Sequence, residues 1–156
     1  MTFFITVITV FLAIFLVRRM NLKSKGYQNS VRAGEFIGGH PDISKVLKHT
    51  RIASSETQFA ICNSMFKPQG YIEKSFIKDV IFENATTFEK RVTATRLLTI
   101  GIFAFARKKN SRNENAYMII EWNDGKFSHS TSFLFEGKGS TQRANKARNW
   151  LIKELR

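Results

Sequence analysis

Residues 117–125 read YMIIEWNDG. Aromatic and β-branched side chains supply four of the six residues 117–122, and Asn123-Asp124-Gly125 follows at once, which is how a strand enters a tight hairpin turn. The segment beyond, 126–136, ends in Ser132-Phe133-Leu134-Phe135-Glu136 and supplies the returning strand. A lone hairpin is marginal in water. The fold therefore depends on how many further strands the chain offers and on what covers them.

Upstream the same pattern recurs. Glu35-Phe36-Ile37 leads into Gly38-Gly39-His40-Pro41-Asp42, where paired Gly and a Pro mark a turn. Residues 45–52 are ambiguous between a helical turn and an edge strand, and 58–62 are β-like. Residues 71–83 hold two apolar pulses split by Lys78-Asp79, and 91–98 alternate in their first half. The stretch 97–109, LLTIGIFAFARKK, carries ten uncharged residues before three basic ones. A helix of that length reaches only about 15 Å, half of a hydrocarbon core. Gly101 in its middle favours a bend between strands, so 97–106 is expected to be buried β-structure with 103–108 as a strand. Short strands spaced in this way predict a mainly β sandwich or barrel of about seven antiparallel strands.

The C-terminal segment is different. Ser140-Thr141 is expected to cap a helix over 142–155. Ala144, Ala147, Leu151 and Leu155 then share one face, Trp150 and Ile152 flank it, and Lys146, Asn149, Lys153 and Arg156 lie opposite. A helix with a narrow apolar stripe suits the open end of a curved sheet.

The N-terminus begins MTFFITVITVFLAIFLV, seventeen residues without a charged side chain. As a helix they span roughly 25 Å, near the lower limit for crossing a bilayer. A cleaved signal peptide competes with this reading. No basic residue precedes the apolar run, however, and RRMNLKSK follows it in place of a small-x-small cleavage site. The expectation is a transmembrane helix over 1–20, a basic juxtamembrane linker over 21–34 and a domain over 35–156. Arg18, Arg19, Lys23, Lys25 and Arg32 precede the first acidic residue, Glu35. The positive-inside rule then predicts a single-pass protein of the cell membrane, N-terminus outside and domain in the cytoplasm. The single cysteine, Cys62, excludes an intramolecular disulfide.

The formal charge of +13, from 25 basic and 12 acidic residues, favours polyanionic partners. Arg18, Arg19, Lys23 and Lys25 sit where an anchored chain meets the membrane surface, and anionic headgroups are their expected contact. Lys45, Lys48 and Arg51, and Arg107, Lys108, Lys109 and Arg112, are candidate ligand or lipid contacts. A solvated face that keeps the domain soluble explains either group as well. Trp150 among Lys146, Arg148 and Lys153 gives slight support to a nucleic-acid binder, but the anchor and the lack of a nucleic-acid motif count against it.

Catalytic patterns are missing. Gly137-Lys138-Gly139-Ser140-Thr141 fails the phosphate-loop pattern, since Gly139 follows Lys138 and position 132 is Ser. His40, His49, His129 and Cys62 have no metal-ligand spacing, and no G-x-S-x-G occurs. No cofactor and no enzymatic activity are expected.

Six stretches together resemble a bacterial pleckstrin-homology-like domain: FIGGHPDI at 36–43, FIKDVIFE at 76–83, TATRLLTIGIFAFARKK at 93–109, YMIIEW at 117–122, FLFEGK at 133–138 and ANKARNWLI at 144–152. The resemblance implies a partly open barrel of antiparallel strands closed by the C-terminal helix. It also implies a binding or scaffolding module for a protein or peptide partner. Phosphoinositide-binding members carry a dense basic clamp at their first hairpin. Here His40, Lys45, Lys48 and Arg51 are loosely spaced, so stereospecific phosphoinositide binding is not implied.

Overall fold

The computed structural model describes residues 2–85, 87, 88 and 115–156, with side chains from Phe4 onward. The elements are α1 (Thr2–Ser24), β1 (Asn29–Gly38), β2 (Leu47–Ser54), β3 (Gln58–Cys62), β4 (Pro68–Glu73), a 3-10 turn (Lys74–Phe76), β5 (Ile77–Asn84), β6 (Ala116–Asn123), β7 (Ser128–Phe135) and α2 (Ser140–Glu154). The protein is mainly β. Seven strands form one open antiparallel sheet in the order β4-β3-β2-β1-β7-β6-β5. The two edge strands, β4 and β5, are consecutive in the chain and joined only by the 3-10 turn. That link spans no more than about 14 Å, so the sheet rolls until its edges approach at this corner.

β1 makes the roll possible. Its first half pairs with β2, from Asn29↔Ser54 to Arg32↔Arg51, and its second half pairs with β7 through Glu35↔Leu134 and Phe36↔Phe133. Register shifts fall on both sides of Gly34. Such bulges bend a strand and increase its twist, which lets β1 serve both halves of the sheet.

Alternate side chains then point into one core. Phe36, Ile52, Phe59, Ile61, Ile72, Met118, Ile120 and Phe133 are all fully buried there. Phe36 and Phe133, cross-strand partners, meet edge to face at 5.9 Å. α2 covers this core with Ala144, Ala147 and Leu151, the stripe expected from the sequence. Its start differs from expectation. Gly139 is the N-cap and the helix begins at Ser140, which is buried and caps nothing with its side chain. Both sheet edges are partly stoppered. Arg148 Nε of α2 donates to the Val80 carbonyl of β5 at 2.7 Å, and His40 Nε2 donates to the Tyr71 carbonyl of β4 at 3.0 Å.

Two boundaries are corrected. The expected linker over 21–34 shrinks to residues 25–28, because α1 continues to Ser24 and β1 already starts at Asn29. The break between β4 and β5 falls at Lys74–Phe76, ahead of Lys78-Asp79, whose side chains are exposed within β5. The strands expected over 91–98 and 103–108, and the cations Arg107, Lys108, Lys109 and Arg112, lie outside the described residues.

Candidate functional site at the joint between helix and sheet

α1 ends in a built stop. Gly26 takes φ +83, the Tyr27 N–H donates to the Leu22 carbonyl at 3.0 Å, and the Gly26 N–H donates to the Lys23 carbonyl at 2.9 Å. This is a Schellman motif, and Leu22 and Tyr27 make its accompanying apolar contact. Both side chains bury against the outer face of β2 and β3, where Ala53, Ala60 and Cys62 leave room for a helix. The Tyr27 hydroxyl accepts from Gln58 Nε2 at 2.7 Å. Going back along α1, Phe15 meets Phe66 edge to face at 5.3 Å, and Arg18 Nη1 lies 3.5 Å from Met65 Sδ. The contacts of α1 therefore fall at two places, Leu22 on the outer face of β2 and β3, and Phe15 and Arg18 on the β3–β4 turn.

That turn is strained to make the contact. Phe66 sits at φ +58, a left-handed region that costs a bulky residue about 1–3 kcal/mol. Asn63 Oδ1 holds the turn by accepting from the Met65 and Lys67 N–H groups, each at 3.0 Å. The ring of Phe66 is thereby placed between Phe15 and the Arg51 guanidinium, which stands 4.6 Å from its centroid.

The cations fall into groups that the linear sequence does not show. Arg51 and Arg32 are direct cross-strand partners, and Arg19 lies close enough that its field is felt at Arg51. Burial, then Arg32 and Arg19, lowers the pKa of the Arg51 guanidinium from its ordinary value. Lys45 is exposed in the β1–β2 loop and Lys48 is exposed on β2, while Arg18 is half-buried and Arg19, Lys23 and Lys25 are exposed on and just beyond α1. Arg32 and Phe66 were not singled out as site residues from sequence. Arg32 reads as linker until the register of β1 is known, and Phe66 reads as a stray apolar residue in a turn.

A second cluster sits where β6–β7 meets the β1–β2 loop. Trp122 is flanked by His129 at 4.2 Å and His40 at 5.4 Å between ring centroids. His129 Nε2 is 3.0 Å from Asp124 Oδ2, and this partner, with the Phe127 and Lys126 N–H groups, holds the Asp124 carboxyl down to about 2. His40 donates through Nε2, while its Nδ1 accepts the Asp42 N–H at 3.2 Å. The Asp42 bond needs the neutral ring; burial lowers the His40 pKa from 6.5 and outweighs the Tyr71 carbonyl and the Asp42 carboxylate, which both favour the protonated ring. The linkage follows directly. With the folded pKa depressed, the unfolded chain binds the extra proton first, so this stability is complete above about pH 6.5 and is lost as pH falls below it. The melting temperature is expected to drop between pH 7.5 and 5, and His40→Gln should flatten that slope. An unchanged slope in the variant would remove His40 as its source.

Neither cluster has the makings of a nucleophile. Cys62 is fully buried under α1, and burial pushes its thiol up to about 12. Among the described residues no group of His, Cys, Asp and Glu could hold a metal ion. Trp150 is half-buried and packs near Phe59 at 6.1 Å, which limits its face for base stacking.

The class these observations define is a mainly β protein with an open seven-stranded antiparallel sheet, a C-terminal helix and an N-terminal apolar helix, an arrangement compatible with a pleckstrin-homology-like fold. α1 is long and apolar enough to cross a membrane, properties that a signal sequence shares. No family model and no curated protein matches the chain.

Proposed function

We propose that the chain is a single-pass, membrane-anchored binding module of pleckstrin-homology-like type, non-catalytic, with its sheet domain on the cytoplasmic side and a protein or peptide as partner. The observation that carries this reading is the joint. Leu22 is buried in the outer face of the sheet and Phe15 packs on the β3–β4 turn, so the end of the apolar helix belongs to the folded unit. Cleavage beyond residue 22 would take Leu22 and Phe15 from the cluster that covers Ala53, Ala60 and Cys62. The exposed apolar side chains of α1, from Phe4 to Val17, are what a bilayer would bury. The strand order, with β1 shared between two halves and a helix over the core, supports the family likeness.

Expression of the full chain with a C-terminal tag, followed by alkaline carbonate extraction, tests the anchor. An intact N-terminus retained in the membrane pellet is expected, and a shortened, extractable product would defeat the proposal. Photo-crosslinking in the membrane through a probe at exposed Phe127 is expected to capture a discrete protein. A gel shift with DNA or RNA at moderate salt, in the absence of any protein adduct, would favour nucleic acid instead.

A further inference from the structure

We propose that the surface where α1 meets the outer face of β1–β2 binds the phosphate of an anionic phospholipid, held by Arg19, Arg32 and Arg51. The inference rests on α1 being a membrane anchor, and it adds a specific ligand position. Three elements each bring one guanidinium to this place: α1, β1 and β2. Like charges directly opposed across a ladder are unfavourable, yet Arg32 and Arg51 are opposed. Among the described residues no carboxylate forms an ion pair with any of the three. An anion between them removes the repulsion, and guanidinium groups bind phosphate oxygens through paired N–H donors.

The height of the site fits a headgroup. The uncharged run ends at Val17, and Arg19 lies about 6 Å along the axis beyond Phe15. Phe15 touches Phe66, and Arg51 covers the same ring. Aromatic rings at the apolar boundary with guanidinium groups just beyond them match the chemistry of an acyl-to-phosphate boundary. Burial, and after it the fields of Arg32 and Arg19, disfavour the Arg51 charge, which an anion among them would favour.

The test uses the full chain in neutral detergent, offered equimolar phosphatidylglycerol and phosphatidylcholine and read by native mass spectrometry. Wild type is expected to retain one phosphatidylglycerol in preference by on the order of tenfold. Arg32→Gln/Arg51→Gln should abolish the preference, and Arg19→Gln, on an exposed helix position, should weaken it without touching the sheet. Lys146→Gln/Lys153→Gln removes as much charge from the exposed face of α2 and should leave the preference intact. Equal loss in that control, or no loss in the arginine variants, overturns the site. Saturable binding of inorganic phosphate to the lipid-free chain, with no preference between the two lipids, overturns the lipid as its source. Carbonate extraction separates the two readings. A chain that is extracted fails as an anchor and as a clamp, whereas a retained chain without lipid preference fails as a clamp alone.

Discussion

Gly39→Ala is expected to destabilise the protein by about 4 kcal/mol and to lower its melting temperature by roughly 10 °C. Gly39 takes φ +87, where an alanine is strained. A Cβ there would fall 1.9 Å from the Ser130 carbonyl oxygen and 2.6 Å from its carbon. Both are backbone atoms of β7, so no rotamer change relieves the overlap. The Gly39 carbonyl also accepts the Thr131 hydroxyl at 3.1 Å, and Thr131 Oγ1 accepts Trp122 Nε1 at 2.9 Å. Moving residue 39 therefore disturbs a buried chain of bonds beside the Trp122 ring. Gly125→Ala is the control, with φ +92 and nothing within 4 Å of its Cβ. It should cost only the backbone share, about 1 kcal/mol. Thermal melts by circular dichroism compare the two, and equal shifts would mean that the overlap is relieved.

Leu22→Asp is expected to release α1 from the sheet while the main core stays folded. Leu22 is 5% exposed, and replacing such a leucine costs about 2–5 kcal/mol before the added cost of burying a carboxylate. The loss is local because Leu22 packs in a cluster with Tyr27, Ala53, Ala60, Cys62 and Phe66, separate from the core under α2. Cys62 reports the event. In the docked state it is fully buried, with its thiol pushed up to about 12, and should resist small alkylating reagents at pH 8. Loss of about 3 kcal/mol of docking raises its labelling rate on the order of 100-fold. A variant whose Cys62 remains unreactive would show that α1 does not depend on Leu22 for its seat.

The sequence displayed the elements whose apolar residues form a compact run or a helical stripe. β3 occupies the expected 58–62, the 123–125 turn closes β6 on β7, and Ala144, Ala147 and Leu151 form the buried stripe of α2. It hid the elements whose outer faces are open. β1 begins with Asn29, Ser30 and Arg32, all exposed, so its first half reads as polar linker. The end of α1 carried a legible sign, Gly26 just past a turn with Lys23 and Lys25, which is how helices stop. The grouping of Arg19, Arg32 and Arg51 was not legible. Arg32 and Arg51 become neighbours only once the β1–β2 register is fixed, and Phe66 becomes a contact only because its backbone turns left-handed.

The stoppers on the sheet edges carry a consequence for biosynthesis. Arg148 and the Val80 carbonyl it occupies are separated by 68 positions, and Arg148 sits in a helix made after all seven described strands. A ribosome that has released β5 still holds the residue that will guard it. Until α2 emerges and folds back, that border of the nascent sheet lies bare to other unfinished copies, and α2 acts as the safety catch that ends the exposure.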